Sequence, residues 1–133
     1  MATKIFDSFA MLAFFRDEAG SQYIEDLLMQ AQEGKISLVM CVVNVGEVFY
    51  SAMRTDSQDS AEQFIEEIQS MPIEIVEVDW ELTRQAAIYK SKGNISYADC
   101  FAAALAKIRN GEVVTGDKEF KALEKEIKIT WLK

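Results

Sequence analysis

The sequence predicts a single three-layer α/β/α domain around a mostly parallel central sheet, and three observations carry that prediction. Short apolar, β-branched runs alternate with amphipathic helical stretches along the chain, the pattern of strand-helix-strand units with right-handed crossovers. One run, Ile36 to Val43, is apolar almost throughout, as a strand buried on both faces must be. The 133 residues contain no internal repeat, low-complexity tract or Pro/Gly-rich linker, so one domain spans 1–133 around one sheet.

Thr3 to Phe6 reads as the first strand, and the apolar pattern from Ser8 to about Arg16 as the first helix. Gly20 separates that helix from a second, Gln22 to Glu33, whose apolar face carries Tyr23, Leu27, Leu28 and Ala31. Gly34 ends it as a C-terminal cap would. After the strand Ile36 to Val43 the pattern turns helical at Asn44, through Val48, Phe49 and Ala52 to about Arg54. A fourth helix covers roughly Ser57 to Met71, and the only proline, Pro72, divides it from the next strand. Ile73 to Val78 alternates apolar and acidic residues, as a strand near a sheet edge does. Helix returns from Trp80 to Lys90, and again from Ser96 to Arg109, where the alanines permit close packing. Asn110-Gly111 ends that helix; Glu112 to Val114 is a strand, Lys118 to Lys125 a helix, and Ile127 to Leu132 the last strand.

Composition removes several chemistries. There is no histidine, which excludes imidazole-based triads and mixed His/Cys zinc sites. Carboxylates, hydroxyls and lysines remain, and carboxylate-rich sites suit hard cations such as Mg²⁺ or Mn²⁺. Cys41 and Cys100 lie in apolar or helical contexts and read as small buried hydrophobes, not as a disulfide framework. No long uncharged apolar stretch and no signal-peptide pattern appear, so a cytoplasmic protein without a membrane span is expected.

The net charge of −8 argues by itself against a nucleic-acid partner. Its distribution weakens that objection. Nine of the 22 acids fall between Asp56 and Glu81, where there is no Lys or Arg, leaving thirteen acids against all 14 bases elsewhere. The acidic segment reads as a solvated helix face.

Asp7, Glu47, Asp99 and Asp117 have two readings. Asp7 and Asp117 each precede a helix, and Asn44-Val45-Gly46-Glu47 and Ser96-Tyr97-Ala98-Asp99 have capping-box spacing, so all four are explicable as helix caps. The topology offers the other reading. Asp7, Glu47 and Asp117 follow strands, where open α/β sheets place their sites. Asp99 begins a crossover helix whose N-terminus returns to that edge. Four gathered carboxylates repel unless a cation lies among them, while helix N-termini favour their ionised form. A capping acid faces backbone N–H groups; a ligating one faces the cluster.

These residues resemble the PIN-domain ribonucleases, and within them the toxin subunit of VapBC toxin–antitoxin systems. The resemblance covers essentially the whole chain. It rests on Asp7-Ser8 with Leu-Ala-Phe-Phe-Arg-Asp-Glu at 12 to 18, Asn44-Val45-Gly46-Glu47-Val48, Ile95-Ser96-Tyr97-Ala98-Asp99, and Val114-Thr115-Gly116-Asp117-Lys118-Glu119-Phe120. It implies a PIN-like fold and an acidic metal site formed by Asp7, Glu47, Asp99 and Asp117, supported by the Thr115 hydroxyl and by Ser8. The chain departs from the family pattern at Phe9, where a small polar residue is frequent, and at Asn44, where Ser or Thr is.

The resemblance further implies hydrolysis of RNA phosphodiester bonds with Mg²⁺ or Mn²⁺, leaving a 5′-phosphate and a 3′-hydroxyl, with tRNA or rRNA as target. Lys90, Lys92, Lys118 and Arg16 are candidate phosphate contacts, or else solvated surface charges. Implied partners are a cognate antitoxin and a second copy of the chain in a homodimer, with the antitoxin rather than this chain binding DNA. Phe49, Tyr50 and Met53 would serve such an interface, although helical periodicity favours core packing for them. Other functions fit less well. A PIN-domain nuclease of RNA processing shares the motifs. A receiver-type phosphoacceptor lacks the paired acids it needs beside Asp7; a phosphatase lacks the second acid of Asp-x-Asp, because Phe9 stands there. A binding protein with a vestigial site would not require all four acids.

Overall fold

Alternation along the strands decides which side of the sheet each apolar residue serves. In the computed structural model, which describes residues 1–133, the strands are β1 (Ala2–Phe6), β2 (Ile36–Cys41), β3 (Ile73–Val76), β4 (Glu112–Thr115) and β5 (Lys128–Trp131). Ile5, Val39, Cys41 and Val113 face one layer of helices. Phe6, Leu38, Met40 and Val114 face the other. The first layer holds α5 (Trp80–Lys90), α6 (Tyr97–Ile108) and the 3-10 turn Lys118–Leu123. The second holds α1 (Ser8–Phe15), α2 (Ser21–Gln32), α3 (Val42–Thr55) and α4 (Gln58–Ser70). The expected three layers are present, both cysteines are free and buried, and no helix is long and apolar enough to cross a membrane.

The five strands lie in the order β3-β2-β1-β4-β5, and every pairing is parallel. The chain builds outward from β1 through β2 to β3, then returns to lay β4 and β5 on the other side of β1. The order therefore reverses between β1 and β4, and the connections leaving their carboxyl ends part there. Such a switch point is where open parallel sheets bind their ligands.

Helix α6 occupies the centre of its layer. Asp99 through Ala106 are all buried, and the run of small side chains lets the helix sit between the sheet, α3 and α5. It ends with Asn110 in the left-handed region at φ 51°. The Gly111 N–H donates to Ala106 O at 2.9 Å and the Asn110 N–H to Lys107 O at 3.3 Å, which satisfies the last carbonyls as a Schellman turn does. Gly111 admits no side chain, since a Cβ there would lie 2.6 Å from Ile5 Cδ1 and 2.7 Å from Thr3 O.

The structure departs from the sequence expectation in five places. The strand expected to reach Val43 stops at Cys41, and Val42 and Val43 form the first turn of α3. Strand β3 ends at Val76, not Val78, because its only neighbour β2 ends at Cys41, the partner of Val76. Lys118–Leu123 is a 3-10 helix, not an α-helix to Lys125, and β5 is Lys128–Trp131 only. Core packing describes Val48 and Ala52 but not their neighbours: Tyr50 is 49 % and Met53 41 % exposed, with Phe49 half-buried. All nine acids between Asp56 and Glu81 are exposed, as a solvated face requires.

Candidate metal centre

Only four polar or charged side chains in the chain are buried, Asp7, Asn44, Asp99 and Thr115, and all four stand at the carboxyl edge of the sheet. Asp7 follows β1, Thr115 ends β4, Asn44 lies in the first turn of α3 behind β2, and Asp99 in the first turn of α6. Burying two carboxylates is costly unless hydrogen bonds or charge compensate.

Asp7 is hydrogen-bonded from both backbone and side chain. Its Oδ1 accepts from the Ala10 N–H at 2.9 Å, capping α1, and its Oδ2 accepts from the Thr115 hydroxyl. Complete burial nonetheless pushes its pKa up to about 7; the bonds from Thr115 and Ala10 oppose the rise, and the Asp117 and Glu47 charges add to it. Thr115 Oγ1 also accepts from the Asp117 N–H at 2.9 Å, so one hydroxyl ties β1, β4 and the turn carrying Asp117 together.

Glu47 is held differently from the capping-box expectation. Helix α3 begins after Cys41, with no side-chain cap, so Asn44 and Glu47 lie inside the helix. Glu47 Oε1 accepts from Ser8 Oγ at 3.0 Å and from Asn44 Nδ2 at 3.0 Å. Asn44 Nδ2 also reaches Ala98 O at 3.2 Å, joining α3 to the start of α6. The capping box at Asn44-Glu47 is therefore absent.

At α6 the box is half present. Ser96 Oγ accepts from the Asp99 N–H at 3.1 Å, but the reciprocal bond, to the Ser96 N–H, comes from Glu119 Oε1 at 2.7 Å. The Asp99 carboxyl is released from capping, and its Oδ2 is buried without a hydrogen-bond partner. Burial holds its pKa well above the carboxylate range, and the facing Asp117 carboxyl raises it further, with smaller contributions from Asp7 and Glu47.

Asp117 caps the 3-10 turn, its Oδ1 accepting from the Glu119 N–H at 3.0 Å. Asp99, Asp117 and Glu119 offer carboxylate oxygens within 4.8 Å of one another, graded from buried through half-buried to exposed. Nothing in the sequence around Glu119 marks it as part of the site beyond the Asp-x-Glu spacing, and its contact with Ser96 spans 23 positions. Asp7 and Glu47 stand outside this tight trio yet close enough to raise Asp99. An all-oxygen donor set with an unpartnered buried carboxylate oxygen fits a hard divalent cation, whose charge would relieve the repulsion.

The four candidate phosphate contacts differ in freedom. Lys90 Nζ donates to Ile95 O at 2.8 Å, Lys92 pairs with Glu126 at 2.7 Å, and Arg16 donates to Thr55 Oγ1 at 2.6 Å. Lys118 is exposed beside Asp117 and makes no side-chain hydrogen bond or ion pair. Phe9, 42 % exposed, rests its ring on Gly116, where a Cβ would lie 2.4 Å from Phe9 Cε1.

An all-parallel sheet of this order with acids at its switch point defines a class, and comparison identifies it. The PIN domain family model matches residues 4–126, and the chain belongs to the PIN-domain family. Its fold is that of VapC toxins. VapBC2 of Rickettsia felis, solved bound to a DNA fragment from its promoter, superposes with a TM-score of 0.77 at 14% identity over 98% of this chain and 99% of that one. VapBC-5 of Mycobacterium tuberculosis gives 0.68 at 20% identity over 100% and 99%. VapC20 of the same organism, a toxin that cleaves the sarcin-ricin loop, gives 0.71 at 14% over 95% and 96%. A sequence search of the curated proteins found no match. Family membership sets aside the receiver and phosphatase readings.

Proposed function

We propose that the chain is a divalent-metal-dependent endoribonuclease, the toxin of a VapBC-type toxin–antitoxin pair. One observation carries the reading: every buried polar side chain of a PIN domain converges on its switch point, and one carboxylate oxygen there has no partner. No fold needs this arrangement for stability. It suits a site that a cation completes.

Asp99 and Asp117 would hold the ion, with Asp7 and Glu47 completing the acidic ring. A bound Mg²⁺ or Mn²⁺ supplies activation of water and neutralisation of charge on the phosphodiester. The protein's part is preorganisation. Thr115 and the Ala10 N–H fix Asp7; Ser8 and Asn44 fix Glu47. Burial and the facing Asp117 carboxyl favour the protonated form of Asp99, and a cation held there would favour its carboxylate instead. Lys118 is placed to meet a phosphate. The surface clefts lie along β5, at the opposite sheet edge and beside α5, none lined by these acids. An open acidic edge suits a polymer better than a small molecule.

An antitoxin partner is supported by relatives that were solved as VapBC complexes. The sarcin-ricin-cleaving relative makes structured RNA the first substrate to try. The exposed Tyr50 and Met53 are candidates for an interface with a second copy or the antitoxin. The test is cleavage of RNA with added Mg²⁺ or Mn²⁺ by wild type and Asp99→Asn. The variant should lose activity; equal cleavage by both would assign the activity to a contaminant and overturn the proposal.

A further inference from the structure

Helix α6 should by its sequence be closed by a reciprocal capping box, Ser96 to Asp99 and Asp99 back to Ser96. The structure breaks the box. Ser96 Oγ does accept from the Asp99 N–H at 3.1 Å, but the Ser96 N–H is taken at 2.7 Å by Glu119, an exposed residue on the 3-10 turn. The Asp99 carboxyl, 3 % exposed, is left with an unpartnered Oδ2 among the site's acids. A carboxylate serves either the cap or the cluster. With Glu119 on the cap, Asp99 serves the cluster.

We infer that Glu119 is a positioning residue that substitutes for Asp99 in the α6 cap and so commits the Asp99 carboxylate to the metal centre. The inference rests on the metal-dependent reading above. The same contact fastens the turn bearing Asp117 to the helix bearing Asp99, since Asp117 Oδ1 holds the Glu119 N–H at 3.0 Å. One side chain thereby sets the spacing of the two acids that face each other across β4 and α6. Removing it should let Asp99 swing back to the Ser96 N–H, three residues away, as in an ordinary capping box. The helix would keep its cap while the centre loses the buried member of its Asp99–Asp117 pair.

That exchange distinguishes positioning from two simpler roles. Mn²⁺ affinity and melting temperature are measured on the full chain for wild type, Glu119→Ala and Glu119→Gln; glutamine retains a carbonyl acceptor for the Ser96 N–H but no charge. Positioning predicts that Glu119→Ala binds Mn²⁺ about tenfold or more weakly, the usual effect of removing a partner that orients a ligand. Its melting temperature should stay near wild type, and Glu119→Gln should recover most of the affinity. Equal loss in both variants would make Glu119 a direct ligand and overturn the inference. A lowered melting temperature with unchanged affinity would reduce it to a helix cap and also overturn it. If wild type itself binds no Mn²⁺, the proposed function fails instead. The Asp99 carboxyl-carbon resonance of the metal-free protein then decides the exchange: it should move in Glu119→Ala, as the carboxyl turns to the Ser96 N–H, and hold in Glu119→Gln, and an unmoved resonance in both would refute it.

Discussion

Replacing Asp99 by asparagine preserves shape and removes one ionisable group, and in the metal-free protein it should stabilise the fold. The carboxyl is buried with Oδ2 unpartnered and faces Asp117. The sign follows from linkage. In the unfolded chain an aspartate ionises near a pKa of about 3.9, whereas in the folded protein Asp99 retains its proton to much higher pH. The folded state thus binds more protons above about pH 4, and stability falls with rising pH until the folded value is passed. Asparagine does not titrate. Its advantage should be absent near pH 4 and grow by at most about 1.4 kcal/mol per pH unit. Three units give an upper figure of roughly 4 kcal/mol near pH 7. Relaxation around the half-buried Asp117 brings the expectation to about 2 kcal/mol, the scale of one uncompensated buried polar group. For a chain of this size that corresponds to a rise of roughly 8 °C in melting temperature. Thermal unfolding followed by circular dichroism in chelator, at several pH values between about 5 and 8, measures it. A variant less stable than wild type at the alkaline end, or an advantage constant across the series, would refute the electrostatic reasoning. Saturating Mn²⁺ should reverse the order, because only wild type gains binding free energy.

Thr115→Val removes the donor to Asp7 Oδ2 and the acceptor for the Asp117 N–H. It should cost about 1–3 kcal/mol, more above about pH 7, where Asp7 ionises, than below. Urea unfolding of metal-free protein at two pH values reads this difference, and a cost independent of pH would show that the hydroxyl does not serve the carboxylate. Gly116→Ala places a methyl 2.4 Å from Phe9 Cε1 and 2.7 Å from Phe9 Cζ, an overlap that should destabilise by about 1–3 kcal/mol. Phe9→Ser in the same chain should relieve most of that loss. A double-mutant cycle with no coupling would mean that the ring is not the obstacle.

Much of this architecture was legible because it rests on periodicity. Trp80–Lys90 matches its expected bounds, and the apolar run at Ile36 is a central strand because alternate residues serve two cores. Convergence of the acids on one edge also followed from the sequence, since strand-helix alternation places strand ends and crossover-helix starts together. What was not legible depends on neighbours distant in the chain. The length of β3 is set by where β2 stops. The Asn44-Glu47 spacing imitates a capping box, yet α3 starts three residues earlier and turns both side chains toward Ser8 and α6. Periodicity places Tyr50 and Met53 on a helix without saying which faces other elements cover. Glu119 escaped notice because its partner Ser96 lies in another element, and only the folded chain shows that Asp99 is relieved of capping.

Anomalous diffraction from crystals grown with Mn²⁺ would locate the ion itself. A peak should lie within coordination distance, about 2.0–2.2 Å, of Asp99 and Asp117 carboxylate oxygens, and be lost in Asp99→Asn. A wild-type crystal saturated with Mn²⁺ that shows no peak at this edge, or a peak that persists unchanged in the variant, would contradict the proposed metal centre.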